Sequence, residues 1–244
     1  MAEGKVNVNA KHGSSIYFTS TVDSSSPVGL IKRYLQNVHT HHLDQGWRVV
    51  HDRYDHAATS TINLWVCAGS LDEVPQAYGS AHFLEHMLFT QSHTKNRQEM
   101  SRWLSGVGGN ANAFTSYDHT GFECMVGSPS IVPAFDWLCD VVLDAAWTEQ
   151  DLALEKNIIL SEEKDGLDQP DMAFEEAFYA HVFGDHGLGR PIVGREQDIS
   201  AMSLARVSSF HQRHYHPENR IISISHPGEI DSLKEKGNFY LFAV

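Results

Sequence analysis

Ala81-His82-Phe83-Leu84-Glu85-His86-Met87-Leu88-Phe89 places two histidines four residues apart, with a glutamate immediately before the second. The residues around them are apolar, and neither Gly nor Pro interrupts, so the stretch reads as a buried helix. On a helix, positions i and i+4 lie about 40° apart around the axis, and i+3 lies about 60° to the other side. His82, Glu85 and His86 therefore share one face. Two imidazoles at that spacing can grip one zinc ion, and a carboxylate beside them can take a proton from a water that the ion activates. The order H-x-x-E-H inverts the commoner zinc-binding order H-E-x-x-H. The chain holds 16 His, so a chance pairing is the competing explanation, to be weighed against what other stretches supply.

Composition narrows the classes. Across 244 residues the formal charge is −13, with 18 Lys+Arg against 31 Asp+Glu. That balance argues against nucleic acid or an anionic membrane as the main partner and is compatible with neutral or basic peptides. Cys67, Cys124 and Cys139 show no C-x-x-C spacing, so neither a disulfide framework nor a cysteine zinc site is expected. Buried free thiols are expected instead, which suits a reducing compartment. No apolar run has the length of a membrane span and the start carries no apolar leader, so a cytoplasmic location is the expectation.

Residues 1–45 read as a polar extension, with one short amphipathic helix over Val28 to Val38 and a solvated His39-Thr40-His41-His42 run. Residues 46–244 read as a single domain. Strands are expected at Trp47–Asp52, Thr59–Ala68, Asn110–Ser116, Thr120–Val126 and Arg220–Ser225. Helices are expected from Ala81, at Asn96–Leu104, Ile131–Asp144, from Thr148 to before Gly166, at Pro170–Val182, Ser203–His214 and Glu229–Lys236. Strands and helices mix without strict alternation. The fold class is therefore α+β, a largely antiparallel sheet with helices packed on it.

Catalytic zinc needs three protein ligands. The third can be any Asp, Glu or His, and spacing alone does not select it. The helix beginning at Thr148 offers Glu155 and Glu162, seven apart and thus about 20° apart around the axis. The alternative is that Glu155, Glu162 and Glu163 form a solvated face.

Four ordered stretches resemble the pitrilysin family, whose members include insulin-degrading enzyme and the mitochondrial processing peptidase. They are Ala81 to Phe89; Gly109 to Ser116 with Asp118-His119-Thr120; Glu155 to Glu163; and Leu188-Gly189-Arg190-Pro191-Ile192-Val193-Gly194. The resemblance covers about Gly46 to Ile230 and implies a single αβ-roll unit, one half of a clamshell. It implies one Zn2+ per chain, held by His82, His86 and Glu162, with Glu163 as the competing third ligand. Glu85 becomes the general base of a zinc endopeptidase and Glu155 the supporting carboxylate. The strand from Asn110 to Ser116 becomes an edge to which an extended peptide adds. Asn112, Ala113 and Phe114 are its candidate substrate-binding residues, although Phe114 also suits a core, and the Gly187–Gly194 loop suits a shaped turn.

The family builds its chamber from two or more such units, and this sequence holds one. The implied partner is a second αβ half-chain or another copy of this chain. The implied substrates are short or unfolded peptides, with maturation of a peptide precursor as a specialised case. Arg213 and Tyr215 are read as helix-end and surface residues, not as a substrate-binding pair. The runner-up function is a non-catalytic subunit that keeps the fold as an assembly partner. A purely structural zinc site is disfavoured, since such sites use four ligands rich in Cys.

Overall fold

A computed structural model describes residues 37–42 and 46–231. The chain divides into two units at Asn37/Val38, and the second holds the sheet and its helices. The Val28–Val38 helix up to residue 36, the end of the Glu229–Lys236 helix and the apolar stretch Asn238–Val244 lie outside the described residues.

Among the described residues six strands form one sheet: β1 (Val38–His42), β2 (Arg48–Arg53), β3 (Thr59–Val66), β4 (Asn110–Thr115), β5 (Thr120–Gly127) and β6 (Arg220–His226), in the order β1-β2-β6-β3-β5-β4. Only β2 and β6 run parallel; every other pair is antiparallel. The period-2 pattern explains the burial. Ser60, Ile62, Leu64 and Val66 of β3 point inward beside Ile222 and Ile224 of β6 and Phe122 and Cys124 of β5. Seven helices accompany the sheet among the described residues: α1 (Ser80–Leu88), α2 (Arg97–Gly106), α3 (Ile131–Leu143), α4 (Glu149–Leu167), α5 (Pro170–Phe183), α6 (Glu196–Ser200) and α7 (Leu204–His214). α3 packs on β3 and β5, and α1 packs among α4, α7 and β4. The result is the α+β class that the sequence predicts.

Four expectations change. Val38–His42 is an edge strand paired with β2, not part of a loose extension. Its polar side chains suit an edge that needs only backbone partners on one side. α4 runs through Gly166 to Leu167. One glycine costs a helix about 1 kcal/mol without ending it, and the stop comes just ahead of Pro170. Cys67 is exposed, whereas Cys124 and Cys139 are buried. Tyr215 stands at the end of α7, as expected, but is buried rather than on the surface, its ring centroid 6.2 Å from that of Phe122 of β5.

Candidate metal centre

α1 forms because Ala, Leu, Met and Glu favour helix and its sides meet α4, α7 and β4. α4 starts at a reciprocal cap in which Thr148 accepts from Asp151 N–H and Asp151 accepts from Thr148 N–H. Its buried stripe is Leu152, Glu155 and Ile159, and Glu162 continues that line toward solvent. The two helices therefore face each other along a line of His and Glu side chains.

His82 and His86 have ring centroids 4.7 Å apart. Glu162 reaches both: Oε1 lies 3.7 Å from His82 Nε2, and Oε2 lies 3.3 Å from His86 Nε2. One ligand atom from each of the three lies within 4.8 Å of the others. Glu163 is not in that cluster; it lines the neighbouring cavity. Zinc bonded at about 2.0–2.1 Å in a tetrahedron sets its ligand atoms about 3.3 Å apart, so the observed spacings fit such an ion. The donor set, two imidazoles and a carboxylate, also suits a site that leaves one position open.

Surrounding groups set the charges. Burial, then the neighbouring His86, pushes His82 down to about 3, so its imidazole is neutral, the form that donates a lone pair. Burial also works against a proton on His86, but the hydrogen bond to Glu155 and the charges of Glu162 and Glu85 outweigh it and raise that pKa. His86 Nδ1 lies 3.2 Å from Glu155 Oε2, and Arg97 at the start of α2 bonds the other oxygen of Glu155. Glu155 is buried, and burial acts to raise it; the His86 and Arg97 bonds win and hold it below the ordinary carboxylate value. Burial raises Glu85, opposed by Thr115, whose Oγ1 donates to Glu85 Oε2 at 2.6 Å. A raised pKa on a carboxylate beside the ligand cluster suits a group that takes and returns a proton.

β4 is the outer strand of the sheet. Ala113, Phe114 and Thr115 line a cavity of about 490 Å³ with His82, Glu85 and Glu162. The Phe114 ring also packs on Trp65 and over Gly121, the residue opposite it in β5. Asn112 lines a smaller cleft on the other side, with His86, Arg97 and Glu155. Tyr117 and Tyr179 stack across the larger cavity, rings 5.9 Å apart. Arg190, Pro191, Ile192 and Val193 of the glycine-rich loop form part of its wall.

Sequence reasoning missed Thr115, Arg97 and Glu73. Period-2 alternation from Ala113 pointed to Thr115. Nothing local pointed to Arg97. Glu73, in the loop before α1, accepts from the N–H groups of Gly79 and Ala81, and burial pushes its carboxyl up to about 8 against those two bonds and the Arg190 charge.

Comparison with known proteins gives the family and the fold. The model of the insulinase family, peptidase family M16, matches residues 48–196. An uncharacterized zinc protease of Mycobacterium leprae is 35% identical over 189 residues, 78% of this chain and 42% of its own length. A protease from Helicobacter pylori shares the fold with a TM-score of 0.79 at 20% identity, over 85% of this chain and 50% of its own. A peptidase M16 inactive domain from Pseudomonas fluorescens matches with a TM-score of 0.76 at 20% identity, over 82% of this chain and 48% of its own. The chain belongs to peptidase family M16, as the pitrilysin-like motifs imply. It spans about half the length of the curated relatives it matches.

Proposed function

We propose that the chain is the zinc-bearing half of a metalloendopeptidase that cleaves short or unfolded peptides. The observation that carries this reading is the His82, His86 and Glu162 cluster, built from two helices with Glu85 beside it. In this reading those three residues hold one Zn2+, and Glu155 orients His86. Zinc bound there supplies Lewis acidity for the scissile carbonyl and lowers the pKa of water. A peptide adds to the open edge of β4 through its backbone, which favours extended, unfolded substrates over particular sequences. Thr115 holds the Glu85 carboxylate toward the cavity. Glu85 takes a proton from the attacking water and passes it to the leaving amine.

Glu163, Glu175 and Glu176 line the same cavity, which supports neutral or basic substrates, precursor peptides included. A second αβ half completes the chamber in this proposal, either as another chain or as a second copy. The matched structures are about twice the length that this chain covers, and Phe174 and Phe178 of α5 stand 72% and 52% exposed, as a covered surface does before assembly. The buried thiols of Cys124 and Cys139 are compatible with a cytoplasmic location; no described helix is long and apolar enough to cross a membrane. A non-catalytic role is the second reading, favoured by the likeness to the Pseudomonas fluorescens inactive domain. The presence of His82, Glu85, His86 and Glu162 together supports catalysis instead.

Quenched fluorescent peptides test the choice, with the chain alone and with a second half, beside a zinc chelator and a Glu85→Gln control. Cleavage lost in both controls is the expected result. Zinc-loaded protein that cleaves nothing in either arrangement would overturn the catalytic reading and leave the assembly role.

A further inference from the structure

The first turn of α1 carries His82, yet no side chain adjacent in sequence caps it. Gly79 stands at the cap position with a φ of 81° and has no side chain to offer. Glu73 fills the role from outside the helix. Its Oε2 accepts from Gly79 N–H at 2.8 Å and its Oε1 accepts from Ala81 N–H at 2.9 Å. The residue is 8% exposed, and both carboxyl oxygens are engaged.

Glu73 is itself anchored. It follows the short turn Ser70–Asp72, where Ser70 N–H bonds Ser116 carbonyl at 3.1 Å and Leu71 N–H bonds Tyr117 carbonyl at 2.8 Å. Ser116 and Tyr117 directly follow β4. Two backbone hydrogen bonds thus tie the turn to the end of the β4 edge, the covalent chain carries on from the turn to Glu73, and Glu73 bonds the first amides of α1. On its other side the helix start abuts the glycine-rich loop. A Cβ on Gly79 would lie 2.7 Å from Val193 carbonyl oxygen, and one on Gly194 would lie 3.1 Å from Gly79 Cα. The Arg190 guanidinium caps the Tyr78 ring at 4.1 Å. The start of α1 is therefore fixed between two backbone segments, and among the described residues only the Glu73 side holds it by side-chain hydrogen bonds to its amides.

We propose that Glu73 is a positioning residue: its two hydrogen bonds set the first turn of α1, and so the placement of His82 opposite Glu162. This role rests on the zinc reading of the cluster. His86, one turn further on, has its own restraint in Glu155, whereas the Nδ1 of His82 is buried without a hydrogen-bond partner among the described residues. His82 therefore depends on its helix for orientation, and misplacement of a site by about 1 Å is enough to impair it.

The test compares wild type with Glu73→Gln at pH 9, where the wild-type carboxyl is ionised. Glutamine keeps the volume and one acceptor oxygen but sets an NH2 group against one backbone N–H. Zn2+ affinity is measured by chelator competition, and melting is measured with and without Zn2+. The expected result is an affinity about 10–100-fold weaker, with a smaller zinc-induced rise in melting temperature. Glu73→Asp, which keeps both oxygens but is one methylene shorter, recovers part of the affinity and serves the same comparison if Glu73→Gln does not yield folded protein. A variant that melts lower in both forms while its affinity is unchanged overturns the positioning role and leaves a structural cap. A wild type that shows no response to Zn2+ overturns the zinc reading itself, and this proposal with it.

Discussion

Seven of the nine residues of α1 are buried, whereas the nineteen-residue α4 buries three. Both helices contribute to the candidate zinc cluster, but from opposite environments. α1 is an interior element in which His82, Glu85 and His86 alternate with the buried Phe83, Leu84, Met87 and Leu88. α4 is a surface helix, and its Glu162 side chain is 49% exposed. The contrast puts the cluster at the boundary between core and solvent. Two of its members are held by the core and one reaches in from the rim, which is how a site can be preorganised and still admit a substrate. Changes on α1 should therefore disturb chemistry and fold together, whereas changes at the outer end of α4 should disturb the metal alone.

The largest effect is expected at Glu85. Glu85→Gln should lower kcat by about 10²–10⁴-fold, the usual contribution of a positioned acid–base group, while metal analysis finds zinc content unchanged. Loss of zinc in that variant would make Glu85 a ligand and break the division of roles within α1. Next comes a direct contrast of the helices. His82→Ala and Glu162→Gln should both lose zinc. In the metal-free proteins, denaturant unfolding should show about 1–3 kcal/mol lost for the buried His82 and less than about 0.5 kcal/mol for Glu162. Equal losses would mean that Glu162 is as much a part of the core as His82.

A smaller effect is expected where the helices touch away from the ion. Glu155→Gln should weaken zinc by about 10–100-fold without abolishing it, since only the orientation of His86 is lost. A similar loss in Glu163→Gln would show that α4 presents its other face to the site. A separate effect is on pH dependence. The native Glu73 carboxyl titrates at about 8 against an ordinary value of 4.5, so between those values the folded chain holds a proton that the unfolded chain has released. The stability contributed by this group is fully present below about 4.5 and declines as pH rises toward 8. Arg190 and Asp198 are the charges facing Glu73, with opposing effects. Urea unfolding of the metal-free protein across that window should flatten in Glu73→Gln, and an unchanged slope would assign the dependence to other groups.

Legibility followed the range of the interactions. The alternation of β3 and the hairpin of β4 and β5 could be read because burial on one face writes itself into every second residue. β1 could not, since a polar edge strand draws on backbone pairing and leaves no apolar mark. Tyr215 does end α7, but its burial was not legible, since it comes from packing against Phe122 of β5. Within the site, His82, Glu85 and His86 were legible together because helical spacing is local. Spacing left the third cluster member open among Glu155, Glu162 and Glu163, which sit on one helix with suitable chemistry, and it was the family resemblance that singled out Glu162. Arg97 and Glu73 act across chain separations that no spacing rule spans, whereas the alternation of β4 sets Thr115 on the same face as Ala113.

From the order of its residues alone, this chain specifies a histidine pair with a carboxylate on one helical face, a mostly antiparallel α+β framework and a formal charge of −13. Those are consequences of short-range periodicity and side-chain chemistry. Only the packed fold brings the Glu162 implied by resemblance to within 3.7 Å of both histidines, buries Glu155 against His86 and Arg97, and sets Thr115 and Glu73 in hydrogen bonds to α1. Each of these depends on how separate elements pack, and packing is settled by the whole core at once.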